Sequence, residues 1–590
     1  MSIDQRPSMD VAILAGRVPH EDRLYVIGPF AERLSFASQQ RRALSLVCAI
    51  DDEIKRAGDG DGLAGKRACI VGAGLAGLTC SVGLAAFKCD SWILESERTA
   101  LAVNQSARHR EIHPSINFWP REDVVVTTML PFLNWHQDRC DLILTRLLKE
   151  WLWLEKKHGA LKGITLGCTV EGVCWNGTAW EITTSGKSPP VQGFDIVIFA
   201  TGYGVETVLP QSDSPSYWNA EGDKIEELRK RPGGTVRDCI ISGTGDGGLI
   251  EVLRLLFSKF QAGKVNYGTS GLFESEHLRR RLRAIETKVR LRVSDEILRE
   301  PHGSRPAGFP LSDVFKDEIA EYLWEAYFAA SPDLADSFRR SLAEQRTAIP
   351  KVVLIGERAV PTEYTSSPYH RLLIVHAIRE GWLEYQQVPR GGIVIADDPQ
   401  SPDTYPVADD LCIKLKKVTF TSVRRITGER HQTVFDDGSK MASYEAAFFL
   451  NRHGTDSPLE PIFKKVSSEL LTNVRKRQSL YADQDWISMD QAREMATKLK
   501  LPSPGHNPTW LEQSFKGAQR FFLERYGLDV REEYADGVAR FILYKDAGGG
   551  RGWSDEHEAG PIPELFYGIP VDSDDVFEVP NMSWTGHGRA

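Results

Sequence analysis

Residues 66–95 read KRACIVGAGLAGLTCSVGLAAFKCDSWILE, and residues 241–251 read ISGTGDGGLIE. In the first stretch an apolar strand, KRACIV (66–71), runs into a glycine turn and a helix of small residues, LAGLTCSVGLAAF (75–87). A second strand, SWILE (91–95), ends in Glu95. Strand, glycine turn, helix and strand in that order make a βαβ unit able to hold a diphosphate at the helix N-terminus. Gly72 permits the tight turn, Gly74 lets backbone N–H groups approach a pyrophosphate, and Gly77 lets the helix touch the sheet. Leu75 and Ala76 open the helix and complete the cradle. Glu95 is placed to accept hydrogen bonds from a ribose diol. Order matters more than the glycines themselves, because with 50 glycines in 590 residues a bare GxGxxG is a weak signal. Gly60, Gly62 and Gly65 fit the same expression, yet they follow a helix predicted over Ser38–Ala57 and precede a strand, so they read as a turn.

At 590 residues the chain has room for about three domains. Its 41% hydrophobic and 26% charged residues are those of an ordinary globular protein. A formal net charge of −9 argues against nucleic-acid binding through bulk electrostatics. No N-terminal apolar stretch follows a basic flank, and no run approaches the ~18 apolar residues of a membrane span, so no membrane association is expected. The 9 cysteines are scattered, with no CxxC and no zinc spacing. Reduced thiols, a cytoplasmic location and no metal are the expectation.

GAGLAGL followed by a glutamate at the end of the second strand resembles the FAD-binding start of flavoproteins with two dinucleotide-binding domains. These include thioredoxin-reductase-like enzymes, flavin-containing monooxygenases and, more distantly, amine oxidases. The segment 169–204 ends in Phe194-Asp195, an apolar strand and Ala200-Thr201-Gly202-Tyr203. That ending is similar to the one closing the FAD half in this superfamily. The resemblance implies FAD over the first turn, backbone approach at Thr201 and Gly202, and main chain at Val170 meeting the adenine. Gly243, Gly245, Asp246, Gly248 and Glu251 resemble the superfamily's NAD(P)H loop. Asp246, at a helix start, can satisfy orphan N–H groups and the helix dipole, so it need not face phosphate. Relatives preferring NADPH carry adjacent arginines after the next strand, here KVVLIG (351–356). This chain has Glu357 and Arg358, which favours a free 2′-hydroxyl while leaving NADH against NADPH open.

The segment 418–459 echoes 169–204: strands, an Asp-Gly turn, then an apolar strand ending near Gly454. The fold expected is therefore α/β, with tandem Rossmann-like FAD and NAD(P) domains, a helical insertion and a small C-terminal α+β domain. Boundaries fall at 1–65 for a helical lead-in, 66–237 for the FAD domain, 238–465 for the NAD(P) domain and 466–590 for the accessory domain. The insertion occupies 269–349. LPSPGHNP (501–508) reads as a linker. Trp510, Leu511, Phe515, Ala518, Phe522 and Tyr526 share a helical face, and 530–546 reads as a hairpin turning at Asp536-Gly537. This domain suits contact with a protein partner or a second copy.

Chemistry is less specified. The redox cysteine pair of the disulfide reductases, the FxGxxxHxxxW stretch of the monooxygenases and the glycine-pair-plus-arginine of the amine oxidases are all absent. By the same resemblance 104–120 would run under the pyrophosphate, making Arg110 the candidate to neutralise phosphate or flavin charge and His113 a polar contact near the ring. Ser366, His370 and Arg371 form a second polar group. No catalytic residue is assigned. The function expected is an FAD-dependent oxidoreductase, reduced by NAD(P)H and passing electrons to oxygen or an unidentified small molecule. The alternatives are a flavin-binding sensor or signalling effector, and an oxidase reduced directly by its substrate.

Overall fold

The computed structural model describes residues 9–118, 132–202, 238–260, 332–397 and 416–456 with short gaps, and smaller pieces elsewhere up to 545. Two sheets organise it, the first parallel and the second mixed. The first contains β1 (Leu24–Val26), β2 (Arg67–Val71), β3 (Asp90–Glu95), β4 (Leu161–Leu166) and β7 (Ile196–Phe199), in the order β1-β7-β2-β3-β4. ACIV (68–71) and IVIF (196–199) can be apolar throughout because a parallel sheet is covered on both faces. On one face lie α1 (Phe36–Arg56) and α2 (Leu75–Ala86). The two helices approach closely where α2 carries Gly83, whose Cβ would stand 3.1 Å from Leu44. A reciprocal capping box starts α1: Ser38 N–H donates to Ser35 Oγ and Ser35 N–H to Ser38 Oγ.

The second sheet holds β9 (Asp238–Ser242), β10 (Val352–Gly356), β11 (Leu383–Gln387), β12 (Ile393–Asp397), β13 (Lys416–Ser422), β14 (Arg424–Glu429), β15 (Gln432–Asp436) and β16 (Lys440–Asn451). Their order is β12-β13-β16-β9-β10-β11-β14-β15. Its centre, β16-β9-β10-β11, is parallel and repeats β7-β2-β3-β4 of the first sheet, with α4 (Asp246–Leu256) in the place of α2. The two closing segments differ. In the first unit β5 (Cys168–Trp175) and β6 (Trp180–Gly186) form their own two-stranded sheet. In the second, β13 joins the main sheet beside β16, and β14 joins beside β11.

The domain boundaries read from the sequence need correction. Residues 1–65 are no mere lead-in, because β1 pairs in parallel with β7 at the edge of the first sheet, Leu24 opposite Val197. After the second unit the chain also returns to the first. β8 (Val205–Glu206) pairs antiparallel with β17 (Thr455–Asp456). Beyond it Leu459, Ile462 and Val474 join the apolar cluster of Leu24, Trp180 and Phe199. Gln478 Nε2 donates to Val26 O at 3.2 Å. Met495, Ala496 and Leu499, on and just after α6 (Met489–Lys498), are buried in the cluster that α1 and α2 share. The first unit is therefore discontinuous, and the second is inserted within it. In the remainder of the C-terminal region β18 (Leu528–Ala535) and β19 (Val538–Lys545) pair antiparallel, Ala535 opposite Val538, while the expected turn residues Asp536 and Gly537 lie outside the described residues. The helical face of 510–526 lies outside the described residues.

One polar group in the first core gives a pH dependence. Glu150, on α3 (Cys140–Lys157), is buried, and that burial pushes its carboxyl up to about 8, although Leu133 N–H donates to it at 2.8 Å. Folding thus retains a proton that the unfolded chain releases near 4.5. Stability contributed by the neutral acid is complete below the unfolded pKa and is lost as pH rises toward the folded one. Relative to Glu150→Gln, the wild type should lose about 1.4 kcal/mol per pH unit across that window. Melting temperatures of both proteins between those pH values test this, and parallel curves would reject it.

Candidate functional site

Both glycine turns are built to one plan. At the end of β2, Gly72 has φ +107, and a Cβ there would lie 2.6 Å from Ala200 O. A Cβ on Gly77 would lie 2.0 Å from Gly72 O. At the end of β9, Gly243 has φ +124 with Arg452 O 2.1 Å from its Cβ position, and Gly248 would meet Gly243 O at 1.9 Å. The middle glycines behave oppositely. A Cβ on Gly74 or Gly245 would meet no atom within 4 Å. Each of these two is the N-cap of its helix, and neither α2 nor α4 receives a side-chain cap. The first-turn N–H groups, at Leu75 and Ala76 in the first cradle, have no intrahelical acceptor and face an open approach.

Matching hydrogen bonds fix the equivalences. Gly72 N–H donates to Leu94 O at 2.7 Å and Gly243 N–H to Ile355 O at 2.8 Å. Ala200 N–H donates to Val71 O at 2.8 Å and Arg452 N–H to Ser242 O at 2.7 Å. Beside the first cradle, Glu95 folds onto the loop, its Oε2 accepting from Ala73 N–H at 2.6 Å and its Oε1 from Glu97 N–H at 2.9 Å. Thr201 Oγ1 is buried with no hydrogen-bond partner. Gly202, at φ +67, has open space where a side chain would be. Val170 is buried in β5, where the register slips between Val170 and Gly172.

The carboxylate in the second turn serves a neighbouring helix. Asp246 Oδ1 accepts from Ser367 N–H at 3.0 Å and is 2.8 Å from His370 Nδ1, so it caps α5 (Pro368–Arg379). The open end of its own helix stays free of side-chain caps. Of the predicted polar group after β10, Ser366 Oγ reaches Thr244 O at 3.5 Å, at the edge of hydrogen bonding. His370 lies beside Asp246, with its Nε2 buried and without a partner. Arg371 turns elsewhere and forms a buried ion pair with Glu286 of the insertion. Arg358 Nη1 is 3.6 Å from Glu363, a residue the sequence reading did not single out.

Arg110 requires a correction. Its guanidinium is 2% exposed and clasps Glu251, itself 1% exposed, with Nη1 at 3.3 Å from Oε2 and Nη2 bonded to Oε1. Its Nε donates to Tyr217 O at 2.9 Å, and the cation lies 3.7 Å from the Tyr217 ring centroid. Arg254 at 2.9 Å and Arg452 at 3.2 Å share the same carboxylate. Burial alone would raise the Glu251 carboxyl, but Arg110, Arg254 and Arg452 hold it well below the ordinary carboxylate range. Arg110 thus joins the two units through an ion cluster instead of standing free for a phosphate. Its partner is 141 residues away, beyond any local pattern. His113 is buried too, its Nδ1 accepting from Ser115 N–H at 3.0 Å, which leaves the proton on Nε2. Burial pushes this imidazole down to about 3, so it remains neutral, and Nε2 has no partner.

Thiol chemistry has little support. Among the described cysteines only Cys174 is exposed, none forms a disulfide, and burial pushes the Cys48 and Cys239 thiols up to about 12. The described residues contain no cluster of metal-binding side chains and no helix long and apolar enough to cross a membrane.

No protein-family model and no curated protein matches the chain. It is similar to the solved bacillithiol disulfide reductase YpdA from Staphylococcus aureus, with 12% identity, 67% of this chain and 79% of that chain covered, and a TM-score of 0.30. Thioredoxin reductase from Lactococcus lactis matches with 12% identity over 68% of this chain and 81% of that one, TM-score 0.27. OTEMO in an FAD-bound form matches with 12% identity over 68% and 72%, TM-score 0.28. At such scores the likeness carries no argument, and the functional reading rests on the geometry of the two cradles.

Proposed function

We propose that the chain is an FAD-dependent oxidoreductase, with the flavin nucleotide over the first turn and a nicotinamide nucleotide over the second. The duplicated cradle is the observation that carries this: twice, two glycines are sterically obligatory while the third opens onto an uncapped helix end. The residues of the first unit fit FAD. The N–H groups of Gly74, Leu75 and Ala76 would hold its diphosphate, and Glu95 its adenosine ribose. The orphaned Thr201 hydroxyl and the Nε2–H of His113 are polar groups that a large polar cofactor would satisfy. Gly243, Gly245, Gly248 and the first turn of α4 would serve NAD(P)H. When bound, FAD supplies two-electron redox chemistry that no side chain offers, with oxygen or a small organic molecule as final acceptor. The protein's part is to hold both nucleotides with preorganised N–H groups. The ion cluster at Glu251 keeps the two cradles at a fixed mutual setting.

An absorbance spectrum of the purified protein, before and after anaerobic NADH or NADPH, tests the reading. A yellow protein bleached by nicotinamide supports it. A colourless folded protein that takes up no added FAD would end it, whereas flavin that nicotinamide leaves oxidised would remove only the second nucleotide.

A further inference from the structure

The duplication shows which residue of the second unit stands where Glu95 stands in the first. Leu94 O and Ile355 O accept equivalent glycine N–H bonds, so Glu95 corresponds to Gly356. A side chain at that position would require Thr244 and Tyr385 to shift. A Cβ on Gly356 would lie 2.4 Å from Thr244 Cγ2 and 2.8 Å from the Tyr385 hydroxyl. A carboxylate nevertheless reaches the same part of the loop from further along the chain. Thr244, the counterpart of Ala73, donates its hydroxyl to Glu363 Oε1 at 3.2 Å, and Glu363 N–H donates to Thr244 O at 3.2 Å. Glu363 Oε2 lies 3.6 Å from Arg358 Nη1, and these side chains keep 27% and 23% of their surfaces exposed. Glu363 thus touches the second loop much as Glu95 touches the first, with an outer edge accessible to a ligand.

Resting on the reading of the second cradle as a nicotinamide site, we propose that Glu363 is its ribose-reading carboxylate. With Arg358 it makes the site select NADH over NADPH. A carboxylate accepts hydrogen bonds from both hydroxyls of a ribose diol. A 2′-phosphate removes one of those donors and sets negative charge against Glu363. Arg358 is the cation that could offset that charge, but it already faces Glu363 on the same edge. Removing the carboxylate charge while keeping an acceptor for Thr244 therefore releases Arg358 to a phosphate.

The experiment is anaerobic titration of the flavin-loaded full chain with NADH and with NADPH, reading nucleotide affinity and flavin reduction. Wild type should bind NADH more tightly. In Glu363→Gln the NADH-to-NADPH affinity ratio should fall by about tenfold or more, with flavin content unchanged. Adding Arg358→Ala to that variant should abolish the gain for NADPH. A wild-type preference for NADPH, or an unchanged ratio in Glu363→Gln, overturns the proposal. If wild type binds neither nucleotide, the reading of the second cradle itself fails, and that outcome is separate from an unchanged ratio.

Discussion

Gly74→Val is expected to give a folded, colourless protein. Gly74 has φ −71 and ψ 174, extended backbone open to any L-residue, and its Cβ direction is empty to 4 Å. The valine Cβ therefore meets no atom of the polypeptide. It stands instead in the path by which a diphosphate would reach the uncapped end of α2. Flavin-to-protein ratio after reconstitution, together with the melting temperature, decides the matter. The expected result is near-complete loss of flavin at wild-type melting temperature, and retained yellow colour would reject the first cradle. Gly245→Val makes the complementary change, since its site is equally open. It should keep the flavin and lose reduction by nicotinamide. Substituting Gly77 or Gly248 cannot make this separation, because a Cβ at either would strike a backbone oxygen at 2.0 or 1.9 Å and disturb the turn itself.

The largest stability effect should come from Glu251→Gln. The carboxylate meets three guanidiniums in a buried setting, and Arg110, Arg254 and Arg452 would stay buried after its charge is removed. Breaking a buried ion pair by removing one partner typically costs about 3–5 kcal/mol, and Arg452 keeps Glu206 at 3.6 Å. On a chain of 590 residues, a fall in melting temperature of roughly 2–4 °C follows. The side chains are nearly isosteric, so a lost contact area cannot explain such a drop. A change within about 1 °C would mean that the cluster contributes little net stability, as some buried ion networks do.

What the sequence revealed, and what it hid, follows the reach of each interaction. The twin turns were legible because their glycines answer to atoms a few residues away: Gly77 to Gly72, Gly248 to Gly243. The pairing of Leu528–Ala535 with Val538–Lys545 was legible because the two strands are close neighbours in sequence. β1 is only three residues, LYV, and its partner lies on β7, so no local periodicity marks it. Arg110 sits in a stretch that would run toward a phosphate, but its ion partner comes from another unit. Asp246 was read as serving the N–H groups of the helix it starts, yet that helix has no side-chain cap and Asp246 meets Ser367 and His370 at the helix beginning at Pro368, His370 being 124 residues away. Glu363 was missed because the position equivalent to Glu95 holds a glycine, and the acid arrives from a later loop.

The pairing of Val205–Glu206 with Thr455–Asp456 has a consequence for biosynthesis. The inserted unit can be completed on the ribosome while its host still lacks Leu459, Val474 and the helix ending at Lys498. From Asp456 to Lys498 is 42 residues, so at ordinary elongation rates that wait lasts roughly 2–8 s. During it, the apolar surface destined for those residues is uncovered, and a chaperone has its opportunity to act on a nascent chain whose later-made half is already finished.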